Sequence, residues 1–230
     1  PFGVFVSPDG KTVINVNNLT SGNHRCLTQL ELSTPFELST ATLVEETNIL
    51  NTIAKRSGGR DDCHDVYISP NGLNMSVTNE QGAIYDFNLV TPFQLKGATL
   101  KDGYLNPFVN SAIRGDDIWF NNDGSKMYVI DTDGENLKEY TTASPFSSIG
   151  VTIINTVDLT SETVIDGTEE GVDFLFNDSG HTLMILVNDT GDDEHDDTIF
   201  QFSLSVAFDT TTLTLVGSSV IGGYDGTENN

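Results

Sequence analysis

Short apolar runs recur along the chain, and each leads into a polar turn that contains glycine. The four stretches are VFVSPDGKTVINV (4–16), VYISPNGLNMSV (66–77), IWFNNDGSKMYVI (118–130) and FLFNDSGHTLMIL (174–186). Each reads as two short strands joined by a tight turn, and Asp or Asn beside the glycine is typical of turns that need a positive φ. We therefore predict a positive φ at the turn glycines Gly10, Gly72, Gly124 and Gly180.

Two further strands follow each of these pairs. The segments AIYDFNL (83–89) and TIFQFSL (198–204) alternate between apolar and polar residues, which indicates strands with one buried and one less buried face. A second motif comes next, as STPF (33–36), VTPF (90–93), ASPF (143–146) and SVAF (205–208), and another strand follows each copy. The repeating unit thus has four strands, the first of which we predict near residues 4–7, 66–69, 118–121 and 174–177.

Tandem four-stranded units of about 40–60 residues are typical of β-propeller blades. We predict an all-β fold, a β-propeller of four-stranded antiparallel blades, in one domain over 1–230 with repeats at about 1–62, 63–114, 115–170 and 171–230. A stacked array of β-sandwiches is the competing interpretation, but the first strands are apolar throughout, as expected next to a propeller axis. The four blades form either a closed four-bladed ring or part of a larger one.

The repeat resembles one found in structural proteins of marine phages and in secreted bacterial proteins. The segments NNDGSKMYVIDTDGENLKEY (121–140) and LSTPFELSTATL (32–43) carry this resemblance best. The chain is more weakly similar to lactonase-like and surface-layer propellers. In the fourth unit the motif departs from the pattern, with Ala207 in place of Pro and His181 in place of Lys. The resemblance implies a propeller in an extracellular or virion setting, and it implies no catalytic set.

Charge excludes two classes of partner. The chain carries 34 acidic and 10 basic residues, a net charge of −24, whereas nucleic acids and anionic membranes are bound by clustered Lys and Arg. No apolar run reaches the ~18 residues of a membrane span, so we expect no membrane insertion. The acidity indicates a solvated surface adapted to salt, calcium binding, or an extracellular location.

Three aspartates hold one position when the repeats are aligned on their turn glycines. Asp65, Asp117 and Asp173 each open a predicted first strand, and Gly3 holds that position in the first unit. In a propeller this position lies at the mouth of the central channel, where carboxylates converge and repel one another unless a cation, protons or backbone donors compensate. They are therefore candidate calcium ligands. Alternatively, each accepts hydrogen bonds from its own inter-blade loop.

A second candidate calcium site is the loop DTDGEN, with Asp131, Asp133 and Asn136 at plausible ligand spacing. It lacks the distant Glu of an EF-hand. The chain also lacks the G-x-S-x-G, H-E-x-x-H and P-loop motifs. These observations favour a protein without catalytic activity, and they leave open a propeller hydrolase that uses a channel metal.

The two cysteines, Cys26 and Cys63, lie near the starts of parallel strands in neighbouring blades. We predict a disulfide between them, which would indicate an oxidising extracellular setting. Whether Asn18, Asn74, Asn177 and Asn188 are glycosylated stays open, although each lies in an N-x-S/T sequon.

These observations predict a non-enzymatic propeller module on the cell exterior or a virion surface, with a role in adhesion, receptor or glycan binding, or assembly. We expect its partners to be a protein or glycan surface, including copies of itself. The alternatives are a calcium-dependent lactonase-like hydrolase and a structural subunit of an extracellular filament or capsid surface.

Overall fold

The computed structural model describes residues 3–19, 24–47, 63–79, 83–101, 115–131, 136–159, 169–189 and 196–223. In these segments the chain forms four antiparallel four-stranded sheets, each built from four consecutive strands. The structure is therefore all-β and has the predicted four-blade propeller architecture. The only helical pieces in the described segments are two single 3-10 turns, Leu38–Thr40 and Thr210–Thr212. Among the described residues, no helix is long and apolar enough to cross a membrane.

The first two blades come from the N-terminal half of the chain. Blade 1 contains β1 (Val4–Val6), β2 (Thr12–Leu19), β3 (His24–Leu32) and β4 (Ala41–Thr47). Blade 2 contains β5 (Cys63–Ile68), β6 (Asn74–Asn79), β7 (Ile84–Asn88) and β8 (Thr99–Leu100).

The last two blades repeat this order. Blade 3 contains β9 (Gly115–Phe120), β10 (Lys126–Asp131), β11 (Asn136–Thr141) and β12 (Thr152–Asp158). Blade 4 contains β13 (Glu169–Phe176), β14 (Thr182–Asp189), β15 (Asp196–Leu204) and β16 (Leu213–Gly223).

The first strands differ from the prediction at their beginnings. In blades 2, 3 and 4 they begin before residues 66, 118 and 174 and include the polar residues that precede the apolar runs. In each case the pairing with the second strand shifts register near the strand's beginning. Such β-bulges add a residue to one strand, so the polar residues continue the strand instead of forming a loop.

The hydrophobic core lies between successive blades. One cluster joins blades 1 and 2 through Ile14, Val66 and their neighbours, a second joins blades 2 and 3 around Phe120, and a third joins blades 3 and 4 around Tyr128. A blade with a neighbour on each side is covered on both faces. This corrects the expectation of one less buried face for β7, in which Ile84 to Phe87 are all buried.

Within each blade the first turn contacts the turn between the third and fourth strands. The turn glycines have φ of +69° at Gly10, +73° at Gly72, +72° at Gly124 and +71° at Gly180, which confirms the prediction. The phenylalanines of the second motif also have positive φ, 60° at Phe36, 60° at Phe93, 53° at Phe146 and 56° at Phe208. Each donates its N–H to the carbonyl of its blade's turn glycine, at 2.8–3.1 Å.

This Gly–Phe contact leaves no space for a side chain on the glycine. A Cβ on Gly124 would lie 2.5 Å from the amide nitrogen of Phe146 and 2.7 Å from its ring. Atoms this close must move apart, and a backbone nitrogen held in a hydrogen bond cannot move cheaply. The glycine is therefore required both by its φ and by the ring beside it.

We expect Gly124→Ala to lower the free energy of unfolding by about 2 kcal/mol or more, because it combines a strained φ with this collision. Urea denaturation followed by circular dichroism measures the change. Gly217→Ala is the matched control, because φ at Gly217 is not positive and a Cβ there would meet nothing within 4 Å; it should stay within about 0.5 kcal/mol of wild type. Equal effects for the two variants would contradict the structural role of the Gly–Phe contact.

Candidate binding cleft at the propeller axis

The three aspartates predicted at the channel mouth do lie beside bulges in the first strands. The register shifts are between Cys63 and Val66 in β5, between Asp117 and Gly115 in β9, and between Gly171 and Asp173 in β13. In β5 the backbone N–H of Asp65 donates to the Thr78 hydroxyl at 3.0 Å instead of continuing the ladder. The bulges turn these positions toward the axis.

The carboxylates of Asp65 and Asp117 accept hydrogen bonds from the first strand of the following blade. Ile118 N–H donates to Asp65 Oδ2 at 3.4 Å and to Asp117 Oδ1 at 2.6 Å. Phe174 N–H donates to Asp117 Oδ2 at 2.7 Å. We call Asp65 and Asp117 the first-strand acceptors. The donors to Asp65 Oδ2 and Asp117 Oδ2 belong to the next blade, whereas Asp117 Oδ1 accepts from Ile118 in its own strand.

The three carboxyl groups also interact with one another. Burial raises the pKa of Asp65, and the charge of Asp173 adds to that effect. Burial, followed by the charge of Asp65 and that of Asp173, raises the pKa of Asp117 well above its ordinary value. Asp117 is buried, Asp65 is half-buried and Asp173 is exposed. The cluster therefore retains a proton at a pH where isolated carboxyl groups have lost theirs.

Gly3 holds the fourth equivalent position, and its lack of a side chain is required. Gly3 N–H donates to the carbonyl of His64 at 2.6 Å, and a Cβ on Gly3 would overlap the Asp65 carboxylate. Blade 1 thus packs directly against the Asp65 carboxylate, and three carboxyl groups converge instead of four.

The first strands of all four blades line a cleft of about 850 Å³. The aspartates lie at the end where these strands begin, and the opposite end is formed by first-turn residues such as Pro8, Pro70 and Asp178. The walls between these ends are largely apolar, with residues Val4, Val6, Tyr67, Trp119 and Leu175. The cleft therefore has a carboxylate end and an apolar wall.

Two aromatic residues belong both to the core and to this wall. The ring of Tyr67 lies edge-on to that of Trp119 at a centroid distance of 5.8 Å, and 5.1 Å from the ring of Phe120. Both Tyr67 and Trp119 are half-buried and pack against core clusters. Burial raises the pKa of Tyr67. Both residues hold the same place in the apolar first strands, and alignment of the repeats does not show which edge of a ring a cleft exposes.

The second candidate calcium site falls only partly within the described chain. Asp131 and Asn136 pair with each other where β10 and β11 meet, whereas Asp133 lies outside the described residues. In the part of the chain that the structure describes, no group of three or more His, Cys, Asp or Glu residues has the arrangement of a metal centre. Calcium binding stays a prediction at both places.

The structure does not show the predicted disulfide between Cys26 and Cys63. Cys63 is buried in the core cluster of blades 1 and 2. The side chain of Cys26 lies outside the described side chains. The pairing therefore stays a prediction.

Comparisons with known proteins support the fold. The chain matches no protein-family model and no curated protein sequence. It is similar in structure to the periplasmic gluconolactonase PpgL of Pseudomonas aeruginosa, at 15% identity and a TM-score of 0.60, over 97% of this chain and 58% of PpgL. A proposed 6-phosphogluconolactonase of Bacteroides fragilis aligns at 18% identity and a TM-score of 0.59, over 97% of this chain and 72% of that one.

Two further structures extend the comparison. The Cps50 β-propeller domain of Myceliophteria thermophila aligns at 9% identity and a TM-score of 0.52, over 96% of this chain and 59% of the domain. A protein of unknown function from Desulfotomaculum acetoxidans aligns at 16% identity and a TM-score of 0.55, over 96% of this chain and 56% of that one. At these identities the similarity shows the propeller fold alone. The chain spans less than three-fifths of the length of three of these four proteins.

We expect the carboxyl cluster to make stability fall as pH rises. Because the folded pKa values of Asp65 and Asp117 are raised, their contribution is complete below the ordinary value of 3.8 and is lost as pH rises through the raised values. Asp173→Asn removes the exposed neighbouring charge and should flatten the loss of stability as pH rises above 3.8.

The measurement is urea denaturation at a series of pH values. Asp178→Asn, which removes an exposed aspartate at the opposite end of the same cleft, controls for the change in net charge. If Asp173→Asn and Asp178→Asn change the slope of the free energy of unfolding against pH equally, then overall charge, and not the cluster, sets the pH dependence.

Proposed function

We propose that the chain is a non-enzymatic propeller module of the cell exterior or a virion surface that binds a protein or glycan ligand in the axial cleft. The observation that carries this proposal is the hydrogen bonding of Asp117, the buried carboxylate at the axis. Both oxygens of Asp117 accept main-chain N–H groups, at 2.6 and 2.7 Å. A carboxylate engaged in this way joins blades and does not act as a free base or nucleophile.

The cleft has the features of a binding site. Ligand sites typically have volumes of about 300–1,000 Å³ and apolar walls with a few polar groups, and this cleft of about 850 Å³ fits that range. Tyr67 and Trp119 can contact the apolar face of a sugar ring or an aliphatic side chain. The carboxylates at one end can accept hydrogen bonds from hydroxyl or cationic groups. The ligand class is therefore an oligosaccharide or a peptide with basic groups.

Trp119 is the only tryptophan of the chain, so its fluorescence reports directly on the cleft. We expect a saturable change in emission with at least one member of a panel of neutral oligosaccharides and basic peptides. Val6→Gln, in the cleft wall, should weaken that binding about fivefold or more. Val44→Gln is the matched control, because it changes a valine of similar exposure, 46% against 43%, on the fourth strand of blade 1.

Calorimetry on the wild type and on the two valine variants separates binding from the optical signal, because the heat of binding does not depend on the emission of Trp119. If no compound of the panel gives a saturable change, or if the two valine variants bind equally well, the cleft is not the binding site.

A calcium-dependent lactonase-like hydrolase is the second candidate. Two observations favour it: three carboxyl groups converge at one end of the cleft, and two proteins of similar structure are described as lactonases. Asp65, Asp117 and Asp173 would hold the ion, whose oxygen ligands in proteins are typically carboxylates. A bound calcium ion would polarise the substrate carbonyl as a Lewis acid, and the apolar wall would orient the substrate.

This candidate predicts that calcium raises the melting temperature of protein treated with chelator, and that the protein hydrolyses a simple sugar lactone in a pH-stat assay. Asp173→Asn should abolish both effects, whereas Asp178→Asn should preserve them. Fluorescence-detected binding without calcium dependence or turnover would support the binding module and eliminate the hydrolase.

A further inference from the structure

We propose that the axial cleft binds an extended dication, by which we mean a chain with an ammonium or guanidinium group at each end and an apolar middle. This proposal rests on the proposed binding function of the cleft and deepens it by naming the class of ligand. It comes from the order of chemical groups along the cleft. Because the blades of a propeller surround its central channel whatever their number, the inference does not depend on what covers the outer faces of blades 1 and 4.

Three positions in each blade line the cleft, and each position forms one tier around the axis. The opening tier consists of Gly3, Asp65, Asp117 and Asp173. Asp173 is its exposed member, whereas the first-strand acceptors Asp65 and Asp117 accept hydrogen bonds from main-chain N–H groups of the next blade. Even with one proton retained, three carboxyl groups leave negative charge at this tier. The opening tier therefore favours a cationic group.

The middle tier lies two residues further along each first strand, because alternate residues of a strand share a face. It consists of Phe5, Tyr67, Trp119 and Leu175. None of these side chains is fully buried, and none carries a charge. A charged group at this tier would lose its water without gaining an ionic partner, whereas methylene groups would bury apolar surface. The middle tier therefore favours an uncharged, apolar segment.

The exit tier lies three residues beyond the middle tier, in the first turns. It consists of Pro8, Pro70, Asn122 and Asp178. Asn122 Nδ2 donates to the backbone carbonyl of Asp178 at 2.7 Å, which holds the first turns of blades 3 and 4 together. Asp178 is exposed and supplies the one carboxylate of this tier, so we place the second cationic group there.

Asp173 and Asp178 set the length of the ligand. They lie in one continuous stretch of blade 4, five residues apart. At a rise of 3.2–3.4 Å per residue, their Cα atoms are separated by about 16 Å. A saturated chain of about twelve atoms between two cationic groups spans such a distance when it is extended.

The charges around the cleft disfavour the other classes of ligand. Its described lining contains four aspartates and no Lys or Arg, and His64 is the only basic residue there. An anionic ligand would be repelled at the opening and exit tiers, and a neutral sugar would cover their carboxylates without neutralising them. A dication neutralises both ends. Long-chain diamines and peptides with Lys or Arg at both ends share this chemistry.

The first experiment is isothermal titration calorimetry on the 230-residue protein in physiological salt. Its two ligands, diaminododecane and spermine, both have twelve chain atoms between their terminal nitrogens, but spermine carries two further ammonium groups in the middle. We expect diaminododecane to bind about tenfold more tightly or better, because the middle tier disfavours those groups. Equal or tighter binding of spermine would show that overall charge attracts the ligand and would overturn the proposal.

A shorter diamine tests the length of the ligand. Diaminobutane cannot reach from Asp173 to Asp178, so it loses one of the two charge-assisted contacts and should bind about tenfold more weakly than diaminododecane. Equal binding of the two diamines would contradict the proposal.

A peptide tests the source of the ligand. The acetylated and amidated peptide Lys-Leu-Leu-Lys is compared with its counterpart that has norleucine in place of both lysines. Binding of the lysine peptide that is tighter than binding of diaminododecane would identify a peptide as the ligand, and the reverse order would identify a small diamine. If neither the lysine peptide nor diaminododecane binds, the proposal is overturned.

Variants test the two ends of the cleft. Asp173→Asn and Asp178→Asn should each weaken diaminododecane binding about fivefold or more, and both variants should fold because the two aspartates are exposed. Glu37→Gln is the matched control, because it removes an exposed carboxylate of blade 1 outside the cleft, and it should bind like the wild type. If all three variants bind equally well, the proposal is wrong.

These titrations also separate the dication from the binding function on which it rests. A neutral oligosaccharide that binds in the cleft while no dication binds would overturn the dication and leave the binding module supported. If no compound of either kind binds, both proposals fail.

Discussion

The contact between a side-chain-free glycine and a phenylalanine in a left-handed backbone conformation sets the geometry of every blade. It joins the turn after the first strand to the turn after the third, so it connects the inner half of the blade to the outer half. A left-handed phenylalanine costs of the order of 1–3 kcal/mol in backbone strain. In each blade its N–H bonds to the glycine carbonyl and its ring packs over the glycine Cα, which offsets that cost.

The same contact positions the residues that join the blades. The carbonyl of Phe208 accepts from the Tyr128 hydroxyl and the Lys126 ammonium, both at 2.6 Å, in the preceding blade. Two residues further on, Thr210 donates to Glu139. An error of an ångström in this turn would break all of these bonds, because each is directional. Blade geometry and inter-blade bonding therefore depend on one local conformation.

Buried acceptors bring specificity as well as stability to the blade interfaces. Asp86 accepts from the Ser76, Ser147 and Ser148 hydroxyls and from Ser148 N–H, at 2.7–3.0 Å. Glu139 bonds Lys126 at 2.6 Å in its own blade and Thr210 in the next. A buried carboxylate without such donors is costly, so an interface slipped by one residue would be strongly disfavoured. This constraint explains how blades of similar sequence pack in one register.

The sequence alone determined the all-β repeat architecture, because alternation, turn glycines and the proline-phenylalanine motif act over a few residues. The same short-range patterns predict the shared position of the three aspartates and the positive φ of the four turn glycines, Gly10, Gly72, Gly124 and Gly180. Only the tertiary structure decided which polar residues are buried. The alternation of apolar and polar residues around Asp86 predicts that its side chain faces solvent, yet the next blade covers it. The partners of Asp65 and Asp117, and the left-handed phenylalanines, likewise depend on contacts between distant segments, which no local pattern records.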